Sequence, residues 1–481
     1  YPMRRSMTQT RHIHSQKRLL IGLLMLLVLW GVPAGVPDAR ALSVEDERQM
    51  GEEFLRQVGG QFEMLQDAYA NQYINDLGHY LIAPLEVKNF PFHFYIIKDN
   101  TLNAFAAPAG HIFIFSGLIE VLEDVDELAA VICHEIGHVS ARHLAQRIEQ
   151  SKKIGFATLA GALAGVLLGG EAAGALITGS MAAGMQAQLH YSREDERQAD
   201  QLSFKYMEPA TFDPEGMVRA LQKIQKGSWL GTDKVPAYLL THPTGPERMS
   251  NLDSLLSRYT PPPVSAEAEA FKARWPAFKT VVRARCLDPA DAERIFNKEL
   301  AQDPHDPLAH FGLGMVAMEE SRYPQAIGEL QKAAAQMPDF IPILRTLGQA
   351  YQLNGQNQKA VATLKQALGL RQGDRDTLFV LGTVYESTGD NQEALKIFER
   401  LSYLKPVRHD VYYHLGLCYG REKQLALAHY NFGVYFRKMG QMQKARFHLM
   451  KAKELSGQDP ALRRKIVEEL KGVEEGNRGG A

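Results

Sequence analysis

The run Cys133-His134-Glu135-Ile136-Gly137-His138-Val139-Ser140-Ala141-Arg142-His143 gathers three imidazoles and a carboxylate within eleven residues. Four residues of an α-helix turn through about 400°. His134 and His138 therefore share a face one turn apart, with Glu135 beside them to handle protons. That is the His-Glu-x-x-His pattern of zinc hydrolases, which hold the metal with three protein ligands and leave a position for water. His143 is a poor third ligand. The last histidine of a metzincin pattern would fall at Leu144, the glycine of that pattern at Ala141, and His143 stands too near on the same helix to close a tetrahedron. It reads as a solvated or packed helix residue. A better source is "YSREDERQAD" (191–200), where Glu196 and Asp200 fall one turn apart and Arg193 precedes Glu196 by one turn. One carboxylate there could complete the set while its neighbour orients a ligand imidazole. Spacing leaves Glu194, Asp195, Glu196 and Asp200 all eligible. Cys133 points about 100° away from His134 and reads as a small core residue.

The elements that must position these groups are legible in outline. Residues 44–82 read as helical, with Phe54, Leu55, Val58, Phe62 and Leu65 at helical spacing. "FPFHFYIIKD" (90–99) and "GHIFIFSG" (110–117) read as strands, rich in aromatic and β-branched residues. From Val125 to about Gln150 the chain turns helical, with Asp124, Asp126 and Glu127 at the start, where acidic groups suit the helix dipole. Residues 154–184 hold eight glycines, with Gly161, Gly165 and Gly169 spaced by four. That small-residue pattern predicts a closely packed helical hairpin whose surface could touch a membrane. "RYTPPPVSAEAEA" (258–270) is a Pro-rich break and a domain boundary. Beyond it Leu347-Gly348, Tyr351, Gly355 and Ala360 recur 34 residues later as Leu381-Gly382, Tyr385, Gly389 and Ala394, and again as Leu415-Gly416, Tyr419 and Ala428. This is the tetratricopeptide period, helix pairs stacked into a solenoid with a concave binding face. The stretch 435–455 restarts it out of phase, as an irregular cap would.

A chain of 481 residues exceeds the usual size of one core. Its net charge of −1 offers no electrostatic footprint for nucleic acid. Arg11, Lys17 and Arg18, the apolar run 19–30 and Ala39-Arg40-Ala41 read as a cleavable export signal over 1–41. Its removal would leave 48 basic against 54 acidic residues, a mildly acidic exported protein. Three cysteines make a poor disulfide framework. Cys286 and Cys418, four repeats apart, are too distant to pair, because repeats contact only their neighbours.

His134-Glu135-Ile136-Gly137-His138, followed by Ser192-Arg193-x-x-Glu196-x-x-Ala199-Asp200, resembles the gluzincin family of HtpX and the CAAX prenyl proteases. "NAFAAPAGHIFIFSGLI" (103–119) resembles the strand before that family's metal helix, and "HPTGPER" (242–248) its His-Pro…Arg segment. Gln198 is a mild departure, standing where acidic residues are common. The resemblance implies one Zn2+ per subunit held by His134, His138 and Glu196, with Glu135 catalytic and Asp200 supporting a ligand or donating a proton. It places His242 and Arg248 near the site, where either could donate to the oxyanion; alternatively His242, on a loop stiffened by Pro243 and Pro246, could occupy the metal's fourth position as a latch. The expected fold is mainly α: a zincin-like α+β metallopeptidase domain followed by an α-solenoid of tetratricopeptide repeats. The expected partition is 1–41 signal, 42–257 peptidase, 258–270 linker, 271–456 repeats and 457–481 a polar tail. The expected function is a periplasmic zinc endopeptidase of protein quality control. It would degrade misfolded or stalled outer-membrane β-barrel proteins and engage them and their assembly machinery through the repeats. A non-proteolytic chaperone or adaptor with a structural zinc domain is the alternative.

Overall fold

The computed structural model describes residues 43–85, 90–150, 191–227, 236–457 and 459–478. The export signal expected over 1–41 and the small-residue stretch 154–184 lie outside the described residues. Among those described, no helix is long and apolar enough to cross a membrane.

The first half is a three-layer α/β/α arrangement. Helix α1 (Val44–Gln61) begins at a capping box in which Ser43 and Asp46 satisfy each other's backbone amides. Helix α2 (Ala68–Leu81) follows, capped by Asp67. The stretch 44–82 is therefore two helices rather than one, and Met64 between them bridges to Ile97 at the sheet. Strands β1 (His93–Ile97), β2 (Ala104–Ala107) and β3 (His111–Phe115) form a sheet in the order β1-β3-β2, with β1 parallel and β2 antiparallel to β3. Strand β2 was not resolved as a separate strand from sequence. It turns into β3 through Pro108–Gly110, where Ala109 and Gly110 both take positive φ. Successive β3 side chains face opposite ways. Phe113 and Phe115 meet Met50, Phe54 and Val58 of α1, while Ile112 and Ile114 join the main core.

Short helix α3 (Ser116–Val121) leads into the metal helix α4 (Val125–Ser140), whose N-cap Asp124 accepts from the Glu127 amide at 2.9 Å. The helix expected to run to Gln150 breaks at Arg142, whose φ of 54° lies in the left-handed region, and α5 (His143–Gln150) starts afresh. A left-handed non-glycine costs roughly 1–2 kcal/mol. An ion pair holds Arg142 against Glu47 of α1, with Nε 2.9 Å from Oε1. Helix α6 (Arg193–Ala210) starts at a Ser192/Asp195 capping box and lies along α4. Helices α7 (Gly216–Gly227), α8 (Ala237–Thr241) and α9 (Pro246–Leu256) complete this half.

Helix α10 (Ala266–Cys286) starts inside the Pro-rich stretch, where Ser265 caps it, and belongs to both halves of the molecule. Phe278 stacks on Tyr73 of α2 at 4.3 Å. On one face of α10, Trp275 Nε1 donates to the Glu123 carbonyl at 2.8 Å, Lys279 Nζ to that of Leu122 at 2.5 Å, and Arg283 binds the Glu120 carboxylate at 2.8 Å. Three residues one turn apart thus hold the turn from which the metal helix springs. The opposite side of α10 packs on α12 (Pro307–Glu319), reached through α11 (Pro289–Gln302). Antiparallel helix pairs then follow to Leu455, and a last helix (Pro460–Arg478) packs on the final pair. The molecule is thus mainly α-helical, an α+β metal-helix half followed by a tetratricopeptide solenoid.

Candidate metal centre

Helix α4 is buried along its whole length from Val125 to His138. Gly137, inside the His-Glu-x-x-His run, is where α6 approaches: a Cβ there would stand 3.0 Å from the Ala199 carbonyl. This close approach sets Glu196 and Asp200, one turn apart on α6, against His134 and His138. Of the four acids that spacing left open, Glu196 and Asp200 are buried, whereas Glu194 is exposed and Asp195 is committed to Arg147 and the Ser192 amide.

The polar atoms converge closely. His134 Nε2 lies 3.1 Å from His138 Nε2 and 3.4 Å from Glu196 Oε2, and His138 Nε2 lies 3.4 Å from Glu196 Oε1. His242, at the C-terminal end of α8 and 0% exposed, brings Nδ1 to 3.0 Å from Glu196 Oε1 and 3.4 Å from His134 Nε2. These are imidazole nitrogens and carboxylate oxygens turned towards a common centre. Four donors at about 2.0–2.1 Å from a tetrahedral metal stand about 3.3–3.4 Å apart. The spacing of His134, His138, Glu196 and His242 fits a metal ion, and they are the group of potential ligands that the described residues bring together.

Asp200 accepts from His134 Nδ1 at 2.9 Å, which turns that ring's Nε2 towards the cluster. Arg248 of α9 holds Asp200 from behind with Nε and Nη2, both at 2.8 Å, and reaches Glu196 Oε2 with Nη1 at 2.5 Å. Burial alone would raise both carboxyl pKa values. Arg248 and His134 together outweigh it at Asp200, and His242, Arg248 and the hydrogen bonds of His134 and His138 together outweigh it at Glu196, so both are held below the ordinary carboxylate range. Burial presses His134 down, but its hydrogen bonds to Asp200 and Glu196 carry it up to about 9, and burial keeps His138 well below its usual value.

Glu135 is fully buried, and neither oxygen finds a hydrogen-bond partner of good geometry. Burial raises its pKa, opposed by His242 and His134. His242 Nε2 is 3.5 Å from its Oε1 and likewise unpaired. A buried carboxylate beside a ligand cluster is costly to keep ionised, and such groups cluster at sites of proton transfer.

The structure thus brings together all seven residues singled out from sequence: His134, Glu135, His138, Glu196, Asp200, His242 and Arg248. Arg248 is engaged with two carboxylates, which gives it a positioning place rather than a free donor's. Sequence reasoning missed two rings. Tyr191 stacks on His138 at 3.9 Å between centroids, and Tyr238 stacks on His242 at 4.5 Å. Of the two places left open for His143, solvated or packed, the structure shows the packed one: it is 2% exposed, outside the ligand group, with Nδ1 3.0 Å from His138 Nδ1.

Residues 68–256 match the model of Peptidase family M48. Tetratricopeptide repeat models match 287–339, 317–378, 377–406 and 426–459. The chain is similar to the Beta-barrel assembly-enhancing protease of Yersinia pestis, 28% identical over 353 residues that cover 72% of this chain and 71% of the relative. Its similarity to the protein of the same name from Escherichia coli (strain K12) is 29% over 359 residues, covering 70% and 69%. The Mitochondrial metalloendopeptidase OMA1 of Schizosaccharomyces pombe is 26% identical over 218 residues, covering 45% of this chain and 62% of that protein.

Proposed function

We propose that this chain, a metalloprotease with a peptidase family M48 domain and C-terminal tetratricopeptide repeats, is an exported zinc endopeptidase of the periplasm. Its work is quality control of outer-membrane β-barrel proteins, with the repeats engaging those proteins and their assembly machinery. The observation that carries the catalytic reading is Glu135, a fully buried carboxylate 3.5 Å from His242 and beside four converging ligand atoms. The names of the relatives support the substrate class. The partition we propose keeps a signal over 1–41, the peptidase over 42–257 and the repeats over 271–456; the expected linker 258–270 already holds the start of α10, and the expected polar tail 457–481 holds the last helix, whose Leu462, Ile466 and Val473 are buried.

In this reading His134, His138 and Glu196 hold the zinc, and Asp200 fixes the His134 ring. Zinc, when bound, lowers the pKa of its water and polarises the scissile carbonyl. Glu135 accepts the proton of the attacking water and returns it to the leaving amine. Arg248 keeps Asp200 and Glu196 ionised and in place. His242 is the latch. Its Nδ1 shares the cluster with the other three donors, so a closed loop completes a set of four and leaves no place for water. The loop from Pro243 to Pro246 carries Gly245 between its prolines, and its movement frees the site.

The alternative, a chaperone or adaptor with a structural zinc domain, draws on the same closed set of four, since structural zinc sites are closed. Glu135, a buried carboxylate beside the cluster but outside the set of four, favours the enzyme. Metal analysis and casein cleavage by the purified protein, with and without chelator, decide between them. Stoichiometric zinc with chelator-sensitive cleavage is expected, and zinc without cleavage, even after His242→Ala, would establish the adaptor.

A further inference from the structure

His143 falls five residues after His138, which on a continuous helix would turn it about 140° away. The left-handed break at Arg142 undoes that rotation, and His143, at the start of α5, comes back against the outer edge of the His138 ring. Its Nδ1 is 3.0 Å from His138 Nδ1, and its Nε2 is 3.0 Å from Oε1 of Gln198 on α6. The other acceptor facing that nitrogen, Asp195 Oδ1, stands off at 3.9 Å, its partner oxygen occupied by Arg147 and the Ser192 amide.

Valence orders these bonds. A His138 that offers Nε2 to a metal carries its hydrogen on Nδ1. His143 Nδ1 must then accept, so the hydrogen of His143 sits on Nε2 and must be donated in turn. Gln198 Oε1 is the acceptor in reach. A ligand imidazole commonly donates its second N–H to a carboxylate or a carbonyl, which fixes the ring's tautomer and aim. His134 follows that habit through Asp200. His138 has an imidazole in that place.

We propose that His143 and Gln198 are positioning residues for the metal: a two-link chain in which the exposed amide of Gln198 fixes the tautomer of buried His143, which fixes the aim of His138. This rests on the reading of His138 as a metal ligand. It gives a solvent-exposed residue a hold on a buried metal site. An amide oxygen suffices, because the link asks only for an acceptor.

Zinc affinity of the full-length protein, measured by chelator competition, tests the chain independently of peptidase rate. His143→Ala should weaken binding about 10- to 100-fold. Gln198→Met keeps the shape and neutrality of the side chain but removes the acceptor, and should weaken binding about 10-fold, with the thermal midpoint of the metal-free protein unchanged. Gln198→Glu restores an acceptor and should bind at least as tightly as the wild type. Wild-type affinity in Gln198→Met overturns the chain, even if His143→Ala fails to fold. His138→Ala separates the two levels: it should abolish tight binding, and if it does not, the ligand assignment falls together with the inference.

Discussion

The metal centre and the repeat array are both built of capped helices, but they draw on different ranges of the chain. In the solenoid each contact is made by neighbours. Gly348 lies under Leu364, Gly382 under Phe398 and Gly416 under Phe432, each pair sixteen residues apart, so one helix of a repeat nests into the next. In the metal centre His134 meets His242 across 108 residues and Arg248 across 114. A repeat can therefore be written locally and copied, whereas the centre exists only when α4, α6, α8 and α9 are all in place. The comparison teaches where each region is vulnerable: the array to a local misfit, the centre to anything that shifts one helix against another.

The largest expected effect is at the centre itself. Glu135→Gln should lower kcat/KM on casein by about 10²- to 10⁴-fold with zinc retained, since an amide cannot accept the proton. Glu196→Ala should lose both zinc and activity. If Glu135→Gln keeps more than half the wild-type rate, the base is another group.

Next comes the helix shared by the two regions. Phe278, fully buried against Tyr73, should cost about 3–5 kcal/mol when cut to alanine, read as a lowered denaturation midpoint. Zinc retention should fall with it, because α10 also holds the turn before α4. A chain ended at the Pro-rich break loses Phe271, Trp275 and Phe278 together and should not fold its metal half, whereas one ended after Cys286 keeps them. A folded, zinc-loaded fragment 42–262 would show that the centre does not depend on α10.

Within the array, Gly382→Ala puts a methyl 2.8 Å from the Phe398 ring. Overpacking of this kind costs about 1–3 kcal/mol. The loss should appear in calorimetry as melting of the repeats, with zinc content and casein cleavage unchanged; a loss of zinc would mean that the two regions unfold as one.

The smallest effect concerns the loop. His242→Ala should raise the initial rate on casein several-fold by increasing the fraction of open enzyme. A fall of about 10²-fold would instead make His242 an oxyanion donor, and an unchanged rate would remove both roles.

What was legible in the sequence follows the same division. The 34-residue period exposes the solenoid because the same small and large residues recur wherever helices nest. The pair His134 and His138 was legible because both lie within one helical turn, and Glu196 with Asp200 because they repeat that spacing. Choosing among the acids of "REDERQAD" needed the packing of Gly137 on Ala199, which no spacing encodes. Whether His143 is solvated or packed, and against what, was hidden for a backbone reason. Arginine rarely takes a positive φ, so nothing at Arg142 announces the break, and the Glu47 contact that holds it comes from 95 residues away. Strand β2 hid for another reason: "AFAA" is short, lacks β-branched residues and lies beside Pro108.

Helix α10 has a consequence in time as well as in space. A polypeptide emerges from its N-terminus, and domains fold as their last elements arrive. The segment with His134 and His138 appears early, and Glu196 and His242 follow, but the rings that close the core beneath α4 come only with residues 266–286. The histidines are therefore available before there is a rigid frame to aim them. The repeat helices that pack on the far side of α10 follow it in the chain, so the helix that completes the metal half is also the one on which the array begins. A chain interrupted before residue 266 should lack the core that aims the metal ligands.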